Sequence, residues 1–164
     1  MKTKMRLLLS ILLFSLSSMT VLSQSQSFSG EWKFNREKST AINNQLFLAK
    51  ITVLQKSDSI LTTRVYENEN GEQYPFKENL PLNGKECKIV IYDMPRTASA
   101  SLSSGNGSLS FESTTTFYGD SGSDNLKTQE TWNTQNGGKS LKIDYKTAYS
   151  GGTDTGVQYF DKIK

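Results

Sequence analysis

Along most of this chain hydrophobic and polar residues alternate with the two-residue period of a β-strand, and turn residues interrupt the alternation at short intervals. Phe28, Gly30, Trp32 and Phe34 share one phase, and Ser29, Glu31, Lys33 and Asn35 the other. Leu109, Phe111, Thr115 and Phe117 alternate with Ser110, Glu112, Thr114 and Thr116, and Leu141, Ile143 and Tyr145 with Lys142, Asp144 and Lys146. Successive side chains of a strand point to opposite faces, so each segment presents one dry and one wet surface.

Four Asn-Gly steps punctuate the pattern, at Asn70-Gly71, Asn83-Gly84, Asn106-Gly107 and Asn136-Gly137. Asn-Gly suits the positive φ angles of a type I′ turn and is the strongest short-range hairpin signal. The expected hairpins join 74–82 to 86–92, 97–103 to 108–118 and 126–134 to 140–149. Adding the first strand, 46–55, 60–67 and 157–163 brings the total to about ten strands with short links. Arg36 to Asn44 has room for one short helical turn, and no other stretch keeps a 3.6-residue period. The predicted fold class is all-β, an antiparallel up-and-down meander closing into a barrel of eight to ten strands, because closure removes exposed edges. A two-sheet β-sandwich is the alternative.

The first 23 residues break this pattern. Lys2, Lys4 and Arg6 precede an apolar run from Leu7 to Leu16, followed by small and polar residues up to Ser23. This is the layout of a secretory signal peptide, and the run is far shorter than the ~20 residues that span a bilayer. The expected organisation is a signal peptide over 1–23 and a single domain over 24–164, secreted or periplasmic after cleavage. Three of the chain's 19 Lys and Arg lie in that leader, which leaves 16 cations against 16 Asp and Glu. The domain is therefore near neutral, and its interspersed charges predict neither a nucleic-acid partner nor a membrane-bound one. Charged outer faces also argue against an outer-membrane barrel.

Chemistry is bounded mainly by what the chain lacks. It has no histidine and a single cysteine, Cys87. This removes the commonest general base, the commonest transition-metal ligand and any internal disulfide. Neither an enzyme nor a metal site nor a cofactor is expected, and Cys87, in phase with Ile89 and Ile91, reads as a small core residue. Asn106-Gly107-Ser108 matches a glycosylation sequon but reads as a turn.

The opening segment Gly30-x-Trp32-x-x-Asn35-x-x-Lys38-Ser39, together with the closing Gln158-Tyr159-Phe160-Asp161-Lys162, resembles the small secreted bacterial proteins classed as lipocalin-like. The resemblance implies a calycin-type barrel in which Gly30 and Trp32 belong to the barrel-closing strand, with Trp32 packed across the closed end. Asp144-Tyr145 is similar to the family's second motif, with Ile143 in place of a threonine. The family's third motif carries an arginine near the C-terminus that covers the tryptophan, and here no arginine follows Arg96.

On the strand 126–134, Glu130 shares its face with Leu126, Thr128 and Trp132, which would place a carboxylate inside the barrel. Glu78, in phase with Tyr74, Phe76 and Leu80, raises the same question, and Arg64, in phase with Ile60 and Tyr66, is the available counter-charge. A buried carboxylate needs a partner; the alternative is that strand twist or a bulge turns these groups to solvent. The candidate ligand-binding set is therefore Glu130, Trp132, Glu78, Arg64 and Tyr66, with carboxylates orienting the ligand and aromatics supplying contact area. The function expected first is a binding protein holding a small hydrophobic or amphipathic ligand. The alternative is an extracellular interaction or inhibitor protein that acts through loops and surface and needs no cavity.

Overall fold

The computed structural model describes residues 27–40, 46–119 and 122–164, so the leader expected over 1–23 lies outside the described residues. Ten strands follow one another: β1 (Gly30–Phe34), β2 (Leu46–Gln55), β3 (Ser59–Asn68), β4 (Gln73–Pro81), β5 (Cys87–Ile91), β6 (Met94–Leu102), β7 (Leu109–Gly119), β8 (Gly122–Gln135), β9 (Ser140–Tyr149) and β10 (Gly152–Lys162). They form one antiparallel sheet in the order β4-β3-β2-β1-β10-β9-β8-β7-β6-β5. Chain order is kept throughout, with the first and last strands paired through Trp32 and Lys162, Lys33 and Asp161, and Phe34 and Phe160. The protein is an up-and-down meander rolled into a nearly closed barrel, not a sandwich of two sheets.

The opening motif performs its closure locally. Asn35 Nδ2 donates to Asp161 Oδ2 at 2.6 Å, and Lys38 Nζ reaches Asp161 Oδ1 at 3.6 Å. Ser39 Oγ donates to the Asn35 carbonyl at 2.6 Å and accepts from the Tyr159 amide at 2.9 Å. Lys38 N donates to the Asn35 side chain at 3.1 Å, and Thr40 N to the Val157 carbonyl at 2.8 Å. These bonds lay residues 35–40 along β10 as a turn rather than the expected helical turn, and the rest of that segment, 41–45, lies outside the described residues.

Two turns differ from expectation. β4 and β5 do not pair across Asn83-Gly84; they are the two edges of the sheet. The chain there turns onto β6 instead, with Gly84 N donating to Ala100 O at 2.8 Å and Asn83 bridging Ser101. That seals one end of the barrel and leaves the edges parted toward the other. The partner of β5 is β6, reached through the two-residue turn Tyr92-Asp93, with φ of 50° and 63°. Non-glycine residues in that region cost about 1–2 kcal/mol each relative to glycine, which is why the sequence shows no signal for the turn. Tyr92 gains a compensating contact, its hydroxyl donating to Pro75 O at 2.6 Å across the parted edges. Among the Asn-Gly steps, Asn136-Gly137 has both φ angles positive, at 53° and 66°, as a type I′ turn requires. Asn106 accepts from Ser108 N and Oγ at 3.1 and 2.8 Å, a side-chain-capped turn.

The sealed half of the barrel is filled. Trp32, Ile60, Leu80, Leu109, Leu141 and Phe160 are all 0% exposed. Each fully buried large apolar side chain contributes about 1.5–3 kcal/mol, so this layer dominates stability. Trp32 Nε1 donates to Phe28 O at 2.9 Å, and Lys162 Nζ lies 5.1 Å from its ring centroid. Lys162 thus covers one face of the Trp32 ring. Gly30 has φ of 142°, and a Cβ there would stand 2.6 Å from the Lys164 carbonyl oxygen, so this strand start requires glycine. Cys87 is half-buried against the core rather than enclosed by it.

Candidate functional site

Toward the unsealed end the filling stops and a cavity of about 470 Å³ opens. Its walls carry Phe76 from β4, Ile91 from β5, Met94 from β6, Phe117 from β7 and Leu126 from β8, with Tyr66 from β3. Inward phase explains each of them: every one is an alternate residue on its strand, in step with a core residue deeper in the barrel or, for Ile91, with the half-buried Cys87. The Tyr66 and Phe76 rings stack at 6.0 Å with 10° between planes.

The polar groups are gathered at the floor. Arg64 Nη1 donates to Glu130 Oε1 at 2.7 Å, and Trp132 Nε1 donates to Glu130 Oε2, also at 2.7 Å. Arg64 Nε lies 3.1 Å from Glu78 Oε1, an ion pair by distance in which the N–H does not point along a hydrogen-bond line. Glu78 Oε2 accepts from Arg96 Nε at 3.3 Å, and Arg96 Nη1 donates to Thr115 Oγ1 at 3.0 Å. The Arg64 guanidinium also rests over two aromatic faces, 5.0 Å from the Phe111 centroid and 5.1 Å from that of Trp132. Those faces accommodate the buried Nη2, which has no hydrogen-bond acceptor among the described residues.

Burial and charge act oppositely here. Burial by itself would lower the Arg64 guanidinium, but Glu130 and Glu78 outweigh it and raise its pKa, so the cation is permanent. Burial likewise pushes the Glu130 carboxyl up, and Arg64 with the Trp132 N–H holds it below the usual carboxylate range. At Tyr66 burial wins, raising the phenol above its ordinary value against the pull of Arg64. Arg64 and Glu130 therefore form an ionised pair beside a neutral phenol.

All five residues singled out from the sequence point into the barrel, but they do not share one role in the geometry. Arg64, Tyr66 and Glu130 line the cavity. Glu78 and Trp132 lie beneath it, Glu78 joined to Arg64 and Arg96 and Trp132 to Glu130. Both carboxylates are also engaged by arginines, so neither is free to orient a ligand. Arg96 also lines the cavity, and it lies outside the strand 97–103 expected from the sequence because β6 begins three residues earlier, at Met94. The phase Arg96-Ala98-Ala100, two small buried residues with an arginine at the end, was the available signal.

A second depression, of about 310 Å³, lies on β6–β9 among mostly outward-facing side chains such as Thr114, Lys127 and Lys146. Its wet walls offer little apolar contact, so the inner cavity is the candidate site. Among the described residues no cluster of metal-ligating side chains occurs.

No protein-family model matches this chain, and no curated protein matches it. Among solved structures it is similar to zebrafish ileal bile acid-binding protein complexed with cholic acid, at 16% identity and a TM-score of 0.48, covering 83% of this chain and 98% of that one.

Proposed function

We propose that the protein is a carrier that holds one small amphipathic molecule in its barrel, with the head group at the polar floor and the apolar part along the walls. The observation that carries this reading is the separation of chemistry within one cavity: apolar and aromatic side chains on the walls, and Arg64, Arg96 and Glu130 at one end. A volume of about 470 Å³ falls within the roughly 300–1,000 Å³ of small-molecule sites. A side-chain-filled barrel would have favoured a surface-acting protein instead. The leader over Met1–Ser23 fits a carrier that works outside the cytoplasm.

The test is a fluorescence titration that uses Trp132, bonded to Glu130 beneath the floor, as the reporter. A panel of a fatty acid, a monoacylglycerol, a sterol and the bile salt cholate should contain at least one saturable ligand, and Leu126→Trp, which fills the mouth, should abolish its binding. No saturable binding by any member, or binding untouched by Leu126→Trp, defeats the proposal. Intact-mass analysis of exported material should show a chain starting near Gln24; a retained leader would remove the extracellular part of the reading.

A further inference from the structure

Among the described residues, Arg64, Arg96, Glu78 and Glu130 form one ion-paired set inside the barrel, two arginines against two glutamates. Glu130 has one oxygen on Arg64 and the other on Trp132, at 2.7 Å each. Glu78 lies between Arg64 Nε at 3.1 Å and Arg96 Nε at 3.3 Å. Among the described residues that line the cavity, no charged side chain occurs beyond Arg64, Arg96 and Glu130. A ligand therefore meets cations that are already neutralised and carboxylates that are already occupied.

Among the groups that line the void, two donors next to each other have no acceptor from the described residues. Arg96 is engaged at Nε by Glu78 and at Nη1 by Thr115, and no described residue accepts from its Nη2. The Tyr66 hydroxyl, in the cavity wall, has no acceptor among the described residues either. The Phe76 ring links the two, stacked on Tyr66 at 6.0 Å and carrying the Arg96 guanidinium 5.6 Å from its centroid.

Resting on the carrier reading above, we propose that the cavity selects amphiphiles with an uncharged head rich in acceptor oxygens, such as an ester or amide, over carboxylates or ammonium compounds of the same chain. A carboxylate would surrender its water for a guanidinium whose charge Glu78 already cancels, and an ammonium would meet two arginines with no unpaired carboxylate to offset its own charge. An ester carbonyl sheds far less hydration and accepts from Arg96 and Tyr66.

The experiment compares methyl decanoate, decanoate and decylammonium by displacement of a fluorescent apolar probe from the purified protein at neutral pH. The ester is expected to bind at least about tenfold tighter than either ion. A carboxylate that binds as tightly as the ester overturns the proposal, whereas failure of all three to bind defeats the carrier reading itself. Glu78→Gln gives the set one positive charge and should bring decanoate up about tenfold relative to the ester. Arg96→Gln, at a side chain already 12% exposed, gives it one negative charge; the ester should weaken and the ammonium gain. The two variants change the ranking in opposite directions, so either one that folds is decisive, and an unchanged ranking in a folded variant overturns the proposal.

Discussion

Arg64 on β3 and Glu130 on β8, 66 residues apart in sequence, meet at 2.7 Å in the middle of the barrel. Neither strand neighbours the other in the sheet, so the pair spans the interior and holds opposite walls together. Removing one partner of such a pair leaves an uncompensated buried charge. Arg64→Met should destabilise by about 3–5 kcal/mol in urea unfolding. The double variant Arg64→Met, Glu130→Gln should recover part of that loss, because Arg96 still faces Glu78 and Trp132 still has an acceptor. A double variant no more stable than the single one would show that the pair's charge is not what matters.

Acid should weaken the fold through the same site. Against the upward effect of burial, Arg64 and Trp132 hold the Glu130 carboxyl below its ordinary value. An unfolded glutamate titrates near about pH 4.3, so the stabilisation is complete above that pH and is lost as pH falls through the lower folded value. Unfolding free energies measured between about pH 2 and 6 should show a steeper acid limb for the natural protein than for Glu130→Gln. Parallel curves would rule this linkage out.

Trp32 anchors the sealed half, with its ring 0% exposed and its N–H bonded to Phe28 O. Trp32→Ala should cost roughly 3–5 kcal/mol, as expected for truncation of a large core aromatic. Lys162→Met removes only the partly solvated cation over that ring and should cost less than about 1 kcal/mol. Chemical denaturation of both variants separates packing from the cation's contribution; equal losses would contradict the assignment.

The Tyr92 hydroxyl and the Pro75 carbonyl tie the parted edges β4 and β5 at the mouth. Tyr92→Phe should cost about 1 kcal/mol or less in global stability. Its main effect should be local, with faster hydrogen exchange in 73–80 and 87–94 and unchanged exchange in β1 and β10. Exchange that rises uniformly, or not at all, would mean that the contact does not gate the edge.

The alternation of residues such as Phe28-Gly30-Trp32 and Leu141-Ile143-Tyr145, with Asn-Gly steps between runs, was enough to show an all-β meander, because strand period and turn chemistry are local properties of the backbone. The same period of two put Glu78, Glu130 and Arg64 on the inward phase, but it left open a twist or bulge that would turn them to solvent, and only the tertiary structure excludes that. It did not reveal which edges stay apart. The step Asn83-Gly84 has the residues of a hairpin turn, and only the competition of β6 for Asn83 and Gly84 decides that β4 and β5 part there. Nor did it reveal that Tyr92 and Asp93 turn the chain, because non-glycine residues seldom take the positive φ angles that both adopt here. Above all, the division of labour at the floor depends on tertiary structure. Whether a buried carboxylate is free or neutralised depends on side chains from β3, β4, β6 and β8 converging within a few ångströms, and ion-pair geometry, unlike periodicity, has no local signature in the chain.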